Sequence, residues 1–94
     1  QNMPVAGNYP VINDGGIVEL PYTADAPCRV MITGVSTSED YQTYNVLIND
    51  QYVATRQFSN HASLTFRDSF YLRTGDTINA SGQCTISAQL FRAN

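Results

Sequence analysis

The sequence predicts an all-β domain of two antiparallel sheets with about eight strands in total, and three observations carry that expectation. Apolar residues recur with a period of two, and no window shows the 3.6-residue period of an amphipathic helix. Turn-forming residues interrupt these runs at short intervals. Ser, Thr, Asn and Gln supply 30 of the 94 residues, whereas charged side chains make up only 14%, against about 25% in an ordinary soluble domain. Neutral polar residues of this kind favour strands and turns over helices laced by ion pairs four residues apart.

Residues 1–16 contain two Pro, three Gly and three Asn and read as an irregular N-terminal arm, leaving 17–94 as one β-sandwich domain. Val18, Leu20 and Tyr22 share one face of a first strand, 17–22, which Ala24-Asp25-Ala26-Pro27 ends. Cys28, Val30 and Ile32 alternate through a second strand, 28–35, and Ser36–Asp40 breaks it. Asn49-Asp50, two residues that tolerate positive φ, predicts a two-residue hairpin turn between strands 42–48 and 51–57. In that register Ile48 faces Gln51, Leu47 faces Tyr52, Val46 faces Val53 and Tyr44 faces Thr55. One face then carries Tyr44, Val46, Ile48 and Val53 while the other still holds Leu47 and Tyr52, so the hairpin asks for a second cover, from a loop or another subunit.

Two short strands, 63–67 and 69–73, precede Thr74-Gly75-Asp76, where Gly supplies positive φ and Asp caps the turn by accepting backbone N–H groups. Strand 77–80, the breaker Ser81-Gly82-Gln83 and a closing strand 84–92 complete the domain, with Cys84, Ile86, Ala88 and Leu90 in phase. The expected core is Val18, Leu20, Val30, Ile32, Val46, Ile48, Val53, Leu64, Phe66, Phe70, Leu72, Ile78, Ile86, Ala88 and Leu90. No helix longer than about two turns is expected.

Charge and composition narrow the function. The net charge of −3 with five Arg and no Lys argues against nucleic acid, which needs a clustered cationic surface. No apolar run exceeds three residues, so no membrane insertion is expected. The chain opens on Gln1, which reads as a sign of processing or of a longer parent. The single histidine, His61, stands in a loop without a nucleophile elbow nearby, and the one adjacent acidic pair, Glu39-Asp40, fits a solvated turn better than a glycosidase cleft. No catalytic residue, cofactor or metal site is expected. Cys28 and Cys84 lie on apolar strand phases. Two alternatives stand for them, a disulfide if they sit side by side and a pair of buried thiols otherwise.

The order Leu20-Pro21-Tyr22-Thr23-Ala24, strand 28–33, Tyr44-Asn45-Val46-Leu47-Ile48-Asn49, Ser69-Phe70-Tyr71-Leu72-Arg73-Thr74-Gly75-Asp76-Thr77-Ile78 and strand 84–92 resembles the small jelly-roll domains of tailed-phage virion proteins. Their heads are similar to the tumour-necrosis-factor-like and complement-type globular heads, and the resemblance spans about residues 17–92. The chain departs from that pattern at Ala26-Pro27-Cys28, where a glycine-containing turn is usual. The resemblance implies a jelly-roll-like β-sandwich on a virus-particle surface, usually a homotrimer, serving as capsid decoration, head fibre or tail-appendage tip.

On that reading, Leu47, Tyr52, Tyr71 and Phe91, which alternation leaves facing away from the core, are the candidate oligomer interface. The arm residues Met3, Pro4, Val5, Tyr9, Val11 and Ile12 are too apolar for a free tail and are expected to dock on a capsid or fibre shaft. Loop residues Glu39, Asp40, Tyr41, Asn60 and His61 are the candidates for contacting a host-surface glycan or receptor. Six Tyr and no Trp suit an adaptable polar contact surface, with Tyr41, Tyr44, Tyr52 and Tyr71 as its candidates; the alternative, which the composition favours, is that most of them are half-buried on strands with the hydroxyl at the surface. The alternative function is a carbohydrate- or receptor-binding β-sandwich of a tail fibre or of a secreted lectin-like protein.

Overall fold

The structure, a computed structural model, describes residues 15–36, 41–58 and 64–92. Its elements are β1 (Gly16–Val18), β2 (Tyr22–Thr23), β3 (Cys28–Ser36), β4 (Gln42–Ile48), β5 (Gln51–Phe58), β6 (Leu64–Leu72), β7 (Thr77–Gly82) and β8 (Thr85–Arg92). They form two antiparallel four-stranded sheets, ordered β1-β8-β3-β6 and β2-β7-β4-β5. Every connection except the β4–β5 hairpin crosses from one sheet to the other, and this wrapping gives the jelly-roll-like sandwich. Among the described residues there is no helix, and none therefore long and apolar enough to cross a membrane.

Strict alternation explains why β3 is central. Cys28, Val30, Ile32, Gly34 and Ser36 point inward and are buried, while Arg29, Met31, Thr33 and Val35 point outward and are half-buried. The β4–β5 turn has positive φ at both Asn49 (52°) and Asp50 (64°), as a type I′ hairpin requires. Asn49 also ties that turn to the one before β7: its Nδ2 donates to Asp76 Oδ1 at 2.9 Å, and its Oδ1 accepts from the Thr77 N–H at 2.9 Å. Gly75 takes φ 93° and Asp76 Oδ2 accepts from the Arg73 N–H at 2.8 Å, as the turn chemistry anticipates.

Several sequence expectations change in the folded chain. Strand 17–22 divides: β1 pairs with β8 and β2 pairs with β7, with the cis Leu20-Pro21 bond in the crossing between sheets. Strands 63–67 and 69–73 fuse into β6, because its nine residues pair continuously with β3. The hairpin register holds for Ile48–Gln51 and Leu47–Tyr52 and then shifts: Val46 pairs with Ala54 and Tyr44 with Arg56. Val53 is the extra residue of this β-bulge, so it leaves the expected core and stands 45% exposed. The other expected core residues are buried or packed against the core, which also takes in Ala24, Cys28, Tyr44 and Phe58.

The cysteines are both free thiols at opposite ends of the sheet. Cys28 pairs with Arg92, whereas Cys84 precedes Thr85, the partner of Val35. The eight residues from 84 to 92 put roughly 26 Å between them at about 3.3 Å per residue, far beyond the roughly 7 Å that a disulfide tolerates. Of the two alternatives the structure takes the thiols, with Cys28 buried and Cys84 only partly so.

Candidate functional site

Charged and aromatic side chains meet at the margin where β5 and β6, the edge strands of the two sheets, face each other. Inward alternation brings Tyr44 from β4, Arg56 from β5 and Asp68 from β6 to one place. Arg56 Nε donates to Asp68 Oδ2 at 3.0 Å and its Nη2 donates to Asp68 Oδ1, a two-pronged ion pair. The Arg56 guanidinium also lies 5.4 Å from the Phe66 ring centre. The Tyr44 hydroxyl donates to Asp68 Oδ2 across 3.4 Å. Its ring packs 5.9 Å from Phe58, which lies 5.1 Å from Phe66.

The electrostatics of this cluster follow from those contacts. Hydrogen bonds from Arg56 hold the Asp68 carboxyl below its ordinary range despite its partial burial. Burial first, and the Asp68 charge second, push the Tyr44 phenol up to about 12. At neutral pH Asp68 is ionised with its oxygens occupied and Tyr44 is a neutral, fully buried phenol. The arrangement joins the two sheets at their open margin.

The two outer faces of the sandwich differ in chemistry. On the β1-β8-β3-β6 face, Arg29 is paired with Tyr71 on β6 and Phe91 on β8, and its guanidinium lies 4.3 Å over the Phe91 ring. Arg29 Nε is buried without a hydrogen-bond partner among the described residues. Met31, Thr33 and Val35 follow Arg29 on the outward phase of β3, and Ile17 on the edge strand is 72% exposed. On the β2-β7-β4-β5 face, the outward positions of β7, β4 and β5 are Thr77, Asn79 and Ser81, Thr43, Asn45 and Leu47, and Tyr52, Thr55 and Gln57, with the bulged Val53 exposed beside Tyr52. None carries a charge.

The four residues expected to share an interface are therefore split. Leu47 and Tyr52 are cross-strand partners on one face, while Tyr71 and Phe91 flank Arg29 on the opposite one. Alternation told which residues point outward but not from which sheet. Of the proposed tyrosine patch, Tyr41 and Tyr52 are exposed, Tyr71 is half-buried and Tyr44 is core. Glu39, Asp40, Asn60 and His61 lie outside the described residues, as do Met3, Pro4, Val5, Tyr9, Val11 and Ile12. Sequence reasoning passed over Arg29, Met31 and Ile17, although Arg29 and Met31 hold the phase opposite to Cys28, Val30 and Ile32.

The surface of the described residues also holds concavities. One is lined by Pro27, Arg73, Thr74 and Asp76. Another opens where β1 and β2 stop short, over Val18, Leu20, Ala80, Ile86 and Ala88. No three His, Cys, Asp or Glu side chains gather as a metal site among the described residues. Compared with known proteins, the chain matches no family model, no curated protein and no solved structure.

Proposed function

We propose that this domain is a non-enzymatic, self-associating structural component of a virus-particle surface, a capsid decoration, head fibre or appendage protein that forms homotrimers and contributes to host attachment. The observation that carries the reading is the β1-β8-β3-β6 outer face, where Tyr71 and Phe91 flank Arg29 and the next cross-strand row runs from Ile17 through Gln89 to Met31. Tyr, Phe, Met and Arg are the residue types enriched where protein surfaces bury one another, and charged residues other than Arg are depleted there. Placing Leu47 and Tyr52 on the other face narrows the proposed interface to Tyr71 and Phe91, with Ile17 and Met31 added. The jelly-roll-like wrapping and the low charge support the virion assignment through the resemblance noted above.

The test is sedimentation velocity on the whole chain, beside Ile17→Glu and Met31→Glu variants checked for an unchanged β-type circular dichroism spectrum. A trimer that the two variants reduce to monomer is the expected result. A wild-type monomer throughout the micromolar range, or a trimer indifferent to both substitutions, overturns the self-association reading. Quantitative mass spectrometry of particles encoding the chain tests the virion placement, which the chain's absence from purified particles would refute.

A further inference from the structure

We propose that the outer face of β7, β4 and β5 binds a neutral glycan, with Tyr52 as its stacking ring and Asn45 and Asn79 as its principal hydrogen-bond donors. This site lies on the side of the sandwich away from the proposed self-association face and uses none of the loop residues that sequence alone nominated except by proximity of Tyr41 to the start of β4.

The register lays the platform out. Ser81, Asn45 and Thr55 form one cross-strand row, and Asn79, Leu47 and Tyr52 form the next. Thr43 and Gln57 continue the pattern beyond Asn45. With strands about 4.8 Å apart and rows two residues, or about 6.8 Å, apart, the rows cover roughly 10 by 14 Å. That footprint matches two or three linked sugar rings. A sugar ring presents an apolar C–H face bordered by hydroxyls that both donate and accept. Its complement is a flat apolar spot ringed by uncharged amides and hydroxyls. Leu47, half-buried, and Tyr52, 71% exposed, supply the spot.

Internal hydrogen bonds set the amides in advance. Asn45 Oδ1 accepts from Thr55 Oγ1 at 2.8 Å, and Asn79 Oδ1 accepts from the Ala80 N–H at 2.9 Å. One lone pair of each carbonyl is thereby engaged within the protein, which fixes the amide, and each Nδ2 keeps its N–H groups to donate to a ligand. The diagonal between Asn45 and Asn79 spans about 7–8 Å on such a sheet, within the reach of hydroxyls on one ring or on adjacent rings.

Charge selects the class of ligand. The outward rows hold no cation to draw a phosphate, sulfate or uronate: Arg56, between Thr55 and Gln57, lies on the inward phase with its charge engaged by Asp68, and Asp50 at the hairpin tip disfavours anions further. A second copy of the chain is the weaker occupant: Ser is depleted in protein interfaces, and the residues enriched there lie on the opposite face.

The experiment titrates the isotopically labelled whole chain with laminarin, dextran and yeast mannan as neutral probes and heparin as the anionic control, following backbone and side-chain amide signals. At least one neutral polymer is expected to shift the Asn45 and Asn79 side-chain signals, and heparin to leave them in place. Tyr52→Ala should weaken that binding about tenfold or more, in line with truncation of an aromatic anchor, without altering the fold or the sedimentation coefficient. Ile17→Glu and Met31→Glu, on the far face, should leave these shifts intact, so failure of self-association and failure of this site read out separately. Three outcomes overturn the proposal: no neutral polymer shifts these signals, Tyr52→Ala binds like wild type, or Tyr52→Ala changes the oligomeric state and thereby assigns the face to contacts between copies.

Discussion

Replacing Gly34 by alanine puts one methyl group into the space occupied by the Tyr44 ring, and the sign of its effect on stability tests how the two sheets are packed. A Cβ at residue 34 would stand 2.5 Å from Tyr44 Cε2 and 2.9 Å from both Cδ2 and Cζ. Carbon atoms in contact settle at about 3.5–4.0 Å, so the ring or strand β3 has to move by roughly 1 Å. The ring has nowhere to go, since it is fully buried, packed on Phe58 and tied at its hydroxyl to Asp68. Overpacking of this kind costs about 1–3 kcal/mol. Against it stands the gain of about 0.4–1 kcal/mol that a Gly→Ala change brings where the backbone and the space both allow it. The net expectation is a loss of about 1–2 kcal/mol, or a Tm lower by roughly 4–16 °C at about 4–8 °C per kcal/mol for a domain of this size. Differential scanning calorimetry measures it. In the Gly34→Ala/Tyr44→Leu pair the methyl finds room, so the combined cost should fall short of the sum of the single costs by at least about 0.5 kcal/mol. A Gly34→Ala protein as stable as wild type, or additivity in the double variant, would refute the packing described.

The remaining expectations concern titration and thiols. Because Arg56 lowers the folded-state value of Asp68 from its ordinary 3.8, the pair's stabilisation is present above that pH and is lost as pH falls through the folded value. Asp68→Asn should therefore be less stable at neutral pH and show a shallower acid limb in urea unfolding followed against pH. Tyr44 runs the other way: its value rises from 10.0 to about 12, so stability declines between those limits as the unfolded state ionises first. Tyr44→Phe should abolish the latest-titrating tyrosinate signal in an ultraviolet pH titration of the folded protein. Burial raises both thiols, Cys28 being 1% exposed, so Cys28 should react with a thiol reagent at the rate of unfolding. Mild oxidation should give no intrachain bridge, as mass spectrometry of the unreduced protein would show.

Local patterns carried much of this fold. Asn49-Asp50 specified its turn because two adjacent residues both had to accept positive φ, and Gly75-Asp76 specified the other because its cap lies three residues away. Alternation in β3 and β8 assigned their inward residues correctly, since both strands are long enough for the period to repeat. The functional surface was less legible. Tyr44 reads as one more tyrosine on a strand, and only the approach of Gly34 and Gly82 shows why its ring occupies the interior. Asn45 and Tyr52 share one hairpin, but Asn79 lies far along the chain and joins their platform only through the register of β7 on β4.

The sequence by itself determined where most of the strands lie, where the two tightest turns fall and which phase of the long strands avoids water, because these depend on neighbours within a few residues. Tertiary structure decided the rest. It split residues 17–22 between two sheets, put a bulge at Val53, ran 64–72 as one strand, separated Cys28 from Cys84 and placed Leu47 and Tyr52 opposite Tyr71 and Phe91. A period of two distinguishes inside from outside, but both sheets of a sandwich share the same inside. Which sheet a strand joins is settled only by pairing between residues distant in sequence.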